Sequence, residues 1–200
     1  MISAKVLVLY YSRTDSTAEL ARHIARGIEA TGAEAVVRTV PSVSPNAAAP
    51  AEPIPPSGPP YATPDDLRSC DGLLLGSPTR FGNMAAPLKF FLEQTSDIWL
   101  SGQLVDKPAG VFTSSTSAHG GQESTLLTMI LPLIHHGMIW AGVPYTLNDL
   151  FETDTGGGPY GASHVAGSER TEGSLSDNEA RIAHALGQRV GNLAIKLRNG

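Results

Sequence analysis

Cysteine occurs once in the 200 residues, at Cys70, so the chain forms no internal disulfide and offers no cysteine cluster to a metal. A lone thiol of this kind reads as a small core residue rather than a nucleophile. Positive charge is also scarce: 14 Lys and Arg against 19 Asp and Glu leave a formal net charge of −5. A nucleic-acid-binding face neutralises several phosphates with clustered basic side chains, and no such cluster occurs, so nucleic acid is not an expected partner. No apolar run nears the ~20 residues that cross a bilayer, and no basic stretch followed by an apolar core opens the sequence. The expectation is a cytoplasmic protein with no membrane span. Two phosphate-binding signatures are missing as well. Neither G-x-x-x-x-G-K-[ST] nor G-x-G-x-x-G occurs, which removes the usual nucleoside triphosphate and dinucleotide loops.

What is present is a hydrophobic content of 41% in a length that suits one large core. Lys5 to Tyr11 is short and uniformly apolar, the signature of a strand buried on both faces of a parallel sheet. From Thr17 to Ala30, Leu20, Ile24 and Ile28 recur every four positions and predict a helix that Gly32 closes. Ala33 to Thr39 reads as a second strand. Nine prolines between Pro41 and Pro64 exclude helix and central strand, which leaves a long surface loop at 41–64. Thr63, Pro64 and Asp65 start a helix, and Gly72 to Ser77 is a third strand. Asn83 is expected to cap a helix to about Gln94. Ala109 to Ser114 is a fourth strand, Ser124 to His136 a helix, and Ile139 to Val143 a fifth strand. A Gly-rich insertion at about 144–173 lacks periodicity, and Ser176 with Glu179 forms a capping box for a last helix. Alternating strands and helices predict one α/β domain over residues 1–200, with a five-stranded parallel sheet in the order 2-1-3-4-5. In that order a ligand lies beyond the carboxyl ends of the strands, near the first and third.

Three loops should meet at that edge. The first, S-R-T-D-S-T, puts the hydroxyls of Ser12, Thr14, Ser16 and Thr17 at the positive end of a helix, where a phosphate monoester can bind without lysine. The second, S-P-T-R-F-G-N-M at residues 77–84, offers Thr79, Arg80 and Phe81 as donors and a flat apolar face suited to a planar polar ring. The third, T-S-S-T-S-A-H-G-G-Q at residues 113–122, has small residues that let backbone N–H groups approach a ligand closely.

These pieces carry a resemblance. The Y-Y-S turn, T-R-F-G-N-M, H-G-G-Q-E, L-x-H-H-G-M at residues 133–138 and G-G-P-Y-G-A at residues 157–162 occur in order along nearly the whole chain. Together they resemble the WrbA family of flavodoxin-like NAD(P)H:quinone oxidoreductases. The resemblance implies a flavodoxin-like three-layer sandwich, FMN as cofactor, NADH or NADPH as electron donor, a quinone substrate and a homotetramer built as a dimer of dimers. It further implies that Ser12, Arg13, Thr14, Asp15, Ser16 and Thr17 hold the FMN phosphate. Pro78, Thr79, Arg80, Phe81, Gly82 and Asn83 would flank the isoalloxazine. Ser114, Ser115, Thr116, Ser117, Gly120 and Gly121 would meet the ring edge and ribityl chain. His135 would approach the flavin from a neighbouring subunit as the candidate catalytic group, and Trp99 would line the substrate side.

Two departures from the family pattern matter. Relatives often carry an aromatic just after the phosphate-loop serine, where this chain has Arg13, Thr14 and Asp15. A carboxylate beside a dianion opposes binding, so Asp15 is expected to face solvent or pair with Arg13. Adjacent helical residues point about 100° apart, so only one of His135 and His136 is expected to face a site or interface while the other packs. A zinc pair is not expected, because helical ligand pairs prefer a spacing of three or four. Trp99 reads equally as a core or interface residue. Two rival readings stand beside the reductase: a flavodoxin-type one-electron carrier, and a regulatory binding module of the same fold without catalysis.

Overall fold

The computed structural model describes residues 3–44, 54–167 and 174–198. Five strands, β1 (Lys5–Tyr10), β2 (Glu34–Thr39), β3 (Gly72–Pro78), β4 (Pro108–Ser115) and β5 (Ile139–Trp140), form a parallel sheet in the order β2-β1-β3-β4-β5. A sixth, β6 (Ala162–Val165), pairs with the carboxyl half of β4. The flavodoxin-like order expected from the sequence is therefore present, with one strand added.

Alternation along the strands explains the layers. Val6, Val8 and Tyr10 of β1 face one side, where they pack with Leu20, Ile24 and Ile28 of α1 (Ser16–Glu29) and Ile182, Leu186 and Val190 of α7 (Asp177–Arg198). Leu7 and Leu9 face the other side. There they meet Leu67 of α2 (Pro64–Ser69), Leu88 and Leu92 of α3 (Ala86–Glu93), Ile98 of α4 (Ser96–Leu100) and Leu126, Met129 and Leu133 of α5 (Gln122–His135). Strands buried on both faces are apolar through most of their length, which is why β1, β3 and β4 read so clearly, and the buried Ser77, Thr113, Ser114 and Ser115 stand only at the carboxyl ends. Cys70 is part of the second core. Its Sγ–H donates to the Leu67 carbonyl at 3.2 Å, and burial pushes the thiol up to about 11, so it is inert at neutral pH.

The caps at Thr63 and Ser176 form as the sequence implies. Thr63 Oγ1 accepts from Asp66 N while Asp66 Oδ2 accepts from Thr63 N, and Ser176 and Glu179 repeat the exchange on α7. The Pro-rich segment returns to the sheet, where Ala62 N donates to the Thr39 carbonyl at 2.7 Å. Its residues 45–53 lie outside the described residues.

Three expectations need correction. Asn83 does not cap α3: the helix starts at Ala86 with no side-chain cap, and Asn83 instead closes a turn with Arg80 through reciprocal backbone bonds of 2.8 and 3.0 Å. Its Oδ1 is engaged by Met84 N at 2.8 Å, so it has no lone role to offer the helix. The fifth strand stops after Trp140 rather than continuing to Val143, because Val143 N turns away to the Pro159 carbonyl at 3.0 Å. The insertion is not wholly irregular either. It contains the short α6 (Asp149–Glu152) and then β6, which takes the place beside β4 that β5 vacates. Gly161 makes that return possible, since a Cβ there would stand 2.1 Å from the Val111 carbonyl oxygen. Among the described residues no helix is long and apolar enough to cross a membrane.

Candidate active site

The three loops do meet. Beyond the carboxyl ends of β1, β3 and β4 lies a cavity of about 80 Å³, lined by Ser12, Arg13, Thr14, Ser16, Thr17, Pro78, Thr79, Arg80, Ser114, Ser115, Thr116 and Ala166. At ~30 Å³ per water this is room for a phosphate group and not for a fused ring system, which would have to lie along the rim outside.

The seat is built around the start of α1. Asp15 takes a left-handed conformation (φ 57°), which lets Ser16 N donate back to the Thr14 carbonyl at 2.7 Å and turns the chain sharply into the helix. No side chain caps the helix, so N–H groups of its first turn stay open to the cavity side. Ser12 Oγ is buried and has no hydrogen-bond partner among the described residues. Across the cavity Thr17 Oγ1 and Ser114 Oγ lie 2.8 Å apart. An orphaned hydroxyl, an open helix start and two arginines form a donor set that suits an anion, and these residues fit the phosphate end of FMN. Asp15 is exposed and does not line the cavity, as its charge requires.

Rising from the seat, Arg80 to Asn83 form the tight turn already described. Phe81 sits at its apex with φ 52° and a fully exposed ring, an arrangement that a bulky residue adopts at a cost. The opposing rim is the turn Ser117–Gly120, where Gly120 N donates to the Ser117 carbonyl and Ser115 Oγ donates to the same oxygen at 2.8 Å. Gln122 Nε2 donates to Ser115 Oγ at 2.9 Å and ties that rim to α5. The two rims touch. Thr79 Oγ1 reaches the Gly120 carbonyl at 3.4 Å, and a Cβ on Gly121 would lie 3.2 Å from the Gly82 Cα. Both glycines have positive φ, so only glycine lets the two backbones close in this way.

His135 and Trp99 are elsewhere in the chain. Gln122 starts α5 beside the rim and His135 ends it, thirteen residues on, which is roughly 20 Å along the axis. There His135, Trp99, Leu92 and Pro132 line a separate groove of about 480 Å³ between α3, α4 and α5. The two histidines divide as their spacing demands. His135 is exposed, whereas His136 is buried with Nε2 3.1 Å from Thr95 Oγ1. Burial, and then the neighbouring His135, lowers the His136 pKa below the usual imidazole range. One lining residue escaped the sequence reading: Ala166, brought to the cavity because its N–H donates to the Ser115 carbonyl at 2.8 Å at the end of β6. Only recognition of β6 as a strand would have found it.

The chain is similar to known proteins. Residues 4–148 match the family model described as NADPH-dependent FMN reductase. An NAD(P)H dehydrogenase (quinone) of Geobacter sulfurreducens is 43% identical over 200 residues, covering 96% of this chain and 98% of the relative. Its namesake in Gluconacetobacter diazotrophicus is 41% identical over 196 residues, with 96% and 98% covered. Among solved structures, a flavodoxin, WrbA-like protein of Agrobacterium tumefaciens superposes with a TM-score of 0.66 at 22% identity, over 97% of this chain and 99% of that one, which speaks for the fold. The motifs that pointed to WrbA thus sit in a chain whose family model spans most of its length and whose relatives match it end to end: it belongs to the NADPH-dependent FMN reductase family.

Proposed function

We propose that this protein is an FMN-dependent oxidoreductase that transfers two electrons from NADH or NADPH to quinones, with donor and acceptor occupying one place in turn in a ping-pong cycle. The observation that carries it is the orphaned Ser12 hydroxyl at the uncapped start of α1, inside the cavity where the strand order reverses. That is a phosphate seat without a phosphate-loop lysine, and it occurs in a chain whose near full-length relatives are NAD(P)H dehydrogenases (quinone).

In this reading Ser12, Thr14, Ser16 and Thr17 bind the phosphate, and Arg13 and Arg80 add charge at the rim. Asp15 faces water and so does not oppose the dianion. Pro78 to Asn83 form one wall for the ring, with Phe81 as its apolar face. Ser114 to Ser117, Gly120 and Gly121 present hydroxyls and N–H groups to the other. Bound FMN supplies the two-electron chemistry. The loop around Gly120 and Gly121 stabilises charge that develops there, and a donor so placed in a dry site contributes ~2.7 to 4 kcal/mol.

The reading includes a homotetramer, a dimer of dimers, in which Trp99 and His135 of one protomer complete the site of a neighbour. Trp99 walls the substrate and His135 stands as proton donor to the quinone. Two observations support it. Within a protomer both residues are a helix length away from the cavity, and Leu127, Leu131 and Ile134 form an exposed apolar face along α5 beside them. A cytoplasmic location goes with this reading.

The test is purification, FMN titration, and oxidation of NADH and NADPH with and without benzoquinone. Turnover that requires both FMN and quinone is expected. Flavin binding without nicotinamide oxidation would instead identify a one-electron carrier, and absence of flavin binding a regulatory module. Sedimentation velocity reads the tetramer.

A further inference from the structure

One buried titratable pair takes no part in the site described above. His164 on β6 is fully buried, and its Nδ1 lies 2.9 Å from Oε2 of Glu179, equally buried in the first turn of α7. The same carboxylate accepts from the backbone N–H groups of Gly156, Val165 and Ser176 at 2.9, 3.0 and 2.8 Å. Burial alone would raise this carboxyl, but the His164 hydrogen bond and the backbone donors outweigh it and bring it down to about 2, so it is ionised. A ring that faces an ionised carboxylate through Nδ1 carries a proton there. Its other nitrogen, Nε2, is buried and has no partner among the described residues. Native structures rarely leave such an atom without a purpose.

Its neighbour across the ladder points to one. His164 pairs in register with Ser114 of β4, on a strand ~4.8 Å away, and paired residues of a parallel ladder project to the same face. Ser114 Oγ lies 2.8 Å from Thr17 Oγ1 in the wall of the phosphate seat, and either hydroxyl can donate to the other. An anion decides the direction. Thr17 must aim its O–H into the cavity, so it must accept from Ser114, and Ser114 then needs a donor behind it. β6 sets His164, with its unpartnered Nε2, beside Ser114 in the ladder.

We propose that His164 is a positioning residue for the phosphate of the bound flavin nucleotide: Glu179 holds the Nδ1–H, and an Nε2–H donated to Ser114 sets the Ser114 hydroxyl to donate to Thr17 and the Thr17 hydroxyl to donate to the phosphate. With phosphate bound both ring nitrogens donate, Nδ1–H to Glu179 and Nε2–H to Ser114, the second proton being taken up from solvent as the dianion binds. The inference rests on the FMN reading and goes beyond it, because a chain can seat FMN with or without such a relay.

Fluorescence titration with FMN and with riboflavin, which lacks the phosphate, tests it in the wild type, His164→Leu and His164→Gln. The leucine variant is expected to lose FMN affinity about tenfold or more while riboflavin affinity stays within about twofold. Glutamine, whose amide can donate from near the Nε2 position, is expected to recover most of that loss. In the unsubstituted protein labelled with ¹⁵N-histidine, the Nε2 resonance of His164 should move on adding FMN and hold still on adding riboflavin, a readout that needs no variant to fold. Equal losses for both flavins, or a histidine resonance indifferent to the phosphate, would overturn the role of His164. A wild type that binds neither flavin would overturn the FMN reading itself, and the inference with it.

Discussion

Replacing Ser12 with alanine should move stability and ligand affinity in opposite directions. The hydroxyl is buried and has no partner among the described residues, and a buried polar atom left unpaired costs ~1 to 3 kcal/mol. Alanine removes the cost and leaves the backbone turn intact, so the ligand-free protein should gain about 1 kcal/mol. Affinity changes the other way. A hydrogen bond to a charged group contributes ~1.5 to 3 kcal/mol, so losing one to a phosphate dianion weakens binding roughly 10- to 100-fold. Urea denaturation without ligand reads the first quantity. Titration of flavin fluorescence with FMN reads the second, and riboflavin, with no phosphate, serves as the internal control. A variant that is less stable without ligand, or that binds FMN as tightly as wild type, would refute the reading of Ser12 as a donor held in wait for an anion.

Glu179→Gln should cost about 3 kcal/mol at pH 7, because whichever way the amide turns its NH₂ meets two donors: Gly156 N and Val165 N on one side, or Ser176 N and His164 Nδ1 on the other. The folded carboxyl, at about 2, lies below its unfolded value of 4.5, so this stability is complete above about pH 4.5 and drains as pH falls toward 2. Wild-type and variant denaturation curves should therefore converge in acid, and parallel curves would sink the idea. His136 shares the preference for the deprotonated form in a higher pH window: its folded pKa is depressed by burial from 6.5, so its contribution is present above that value and lost below it. Between pH 8 and pH 5.5 wild type should lose stability, and His136→Gln should flatten the slope; an unchanged slope would show that other groups set it. Phe112→Ala should cost ~3 to 5 kcal/mol by urea denaturation, since the fully buried ring occupies the space where a Gly76 Cβ would stand, 2.1 Å from its Cζ. A loss below about 1 kcal/mol would mean that the core collapses into the gap.

How much of this was readable beforehand depended on how local the cause was. The buried strands announced themselves because both faces are covered, and the hydroxyls at the start of α1 because strand, turn and helix follow without a break. Asn83 was misread because the same side chain that caps helices also closes turns, and a rival hydrogen bond to Met84 N decided between them. The end of the sheet was misread for a different reason. Two residues of β5 and four of β6 are too few to show a period, and their common place beside β4 is set by contacts far along the chain. Glu179 was legible as half of a capping box with Ser176, while its bond to His164 was not, since one arises three residues away and the other from a separate strand. Nothing in the sequence order told that His135 and Trp99 would share a groove apart from the loops.

That divided strand also makes the molecule modular. Trp140 sits opposite Ala109 and Ala162 opposite Phe112, so only two ladder positions separate the halves in space although twenty-one residues separate them in the chain. The frame on either side is anchored to β4, with Ala141 and Val143 at one end and Gly156, Pro159 and Gly161 at the other tied into it. The interval from 144 to 155 is accordingly a port in the architecture. Segments of very different length and character can be exchanged there, by evolution or by graft, while the sheet that aims the phosphate seat stays in register.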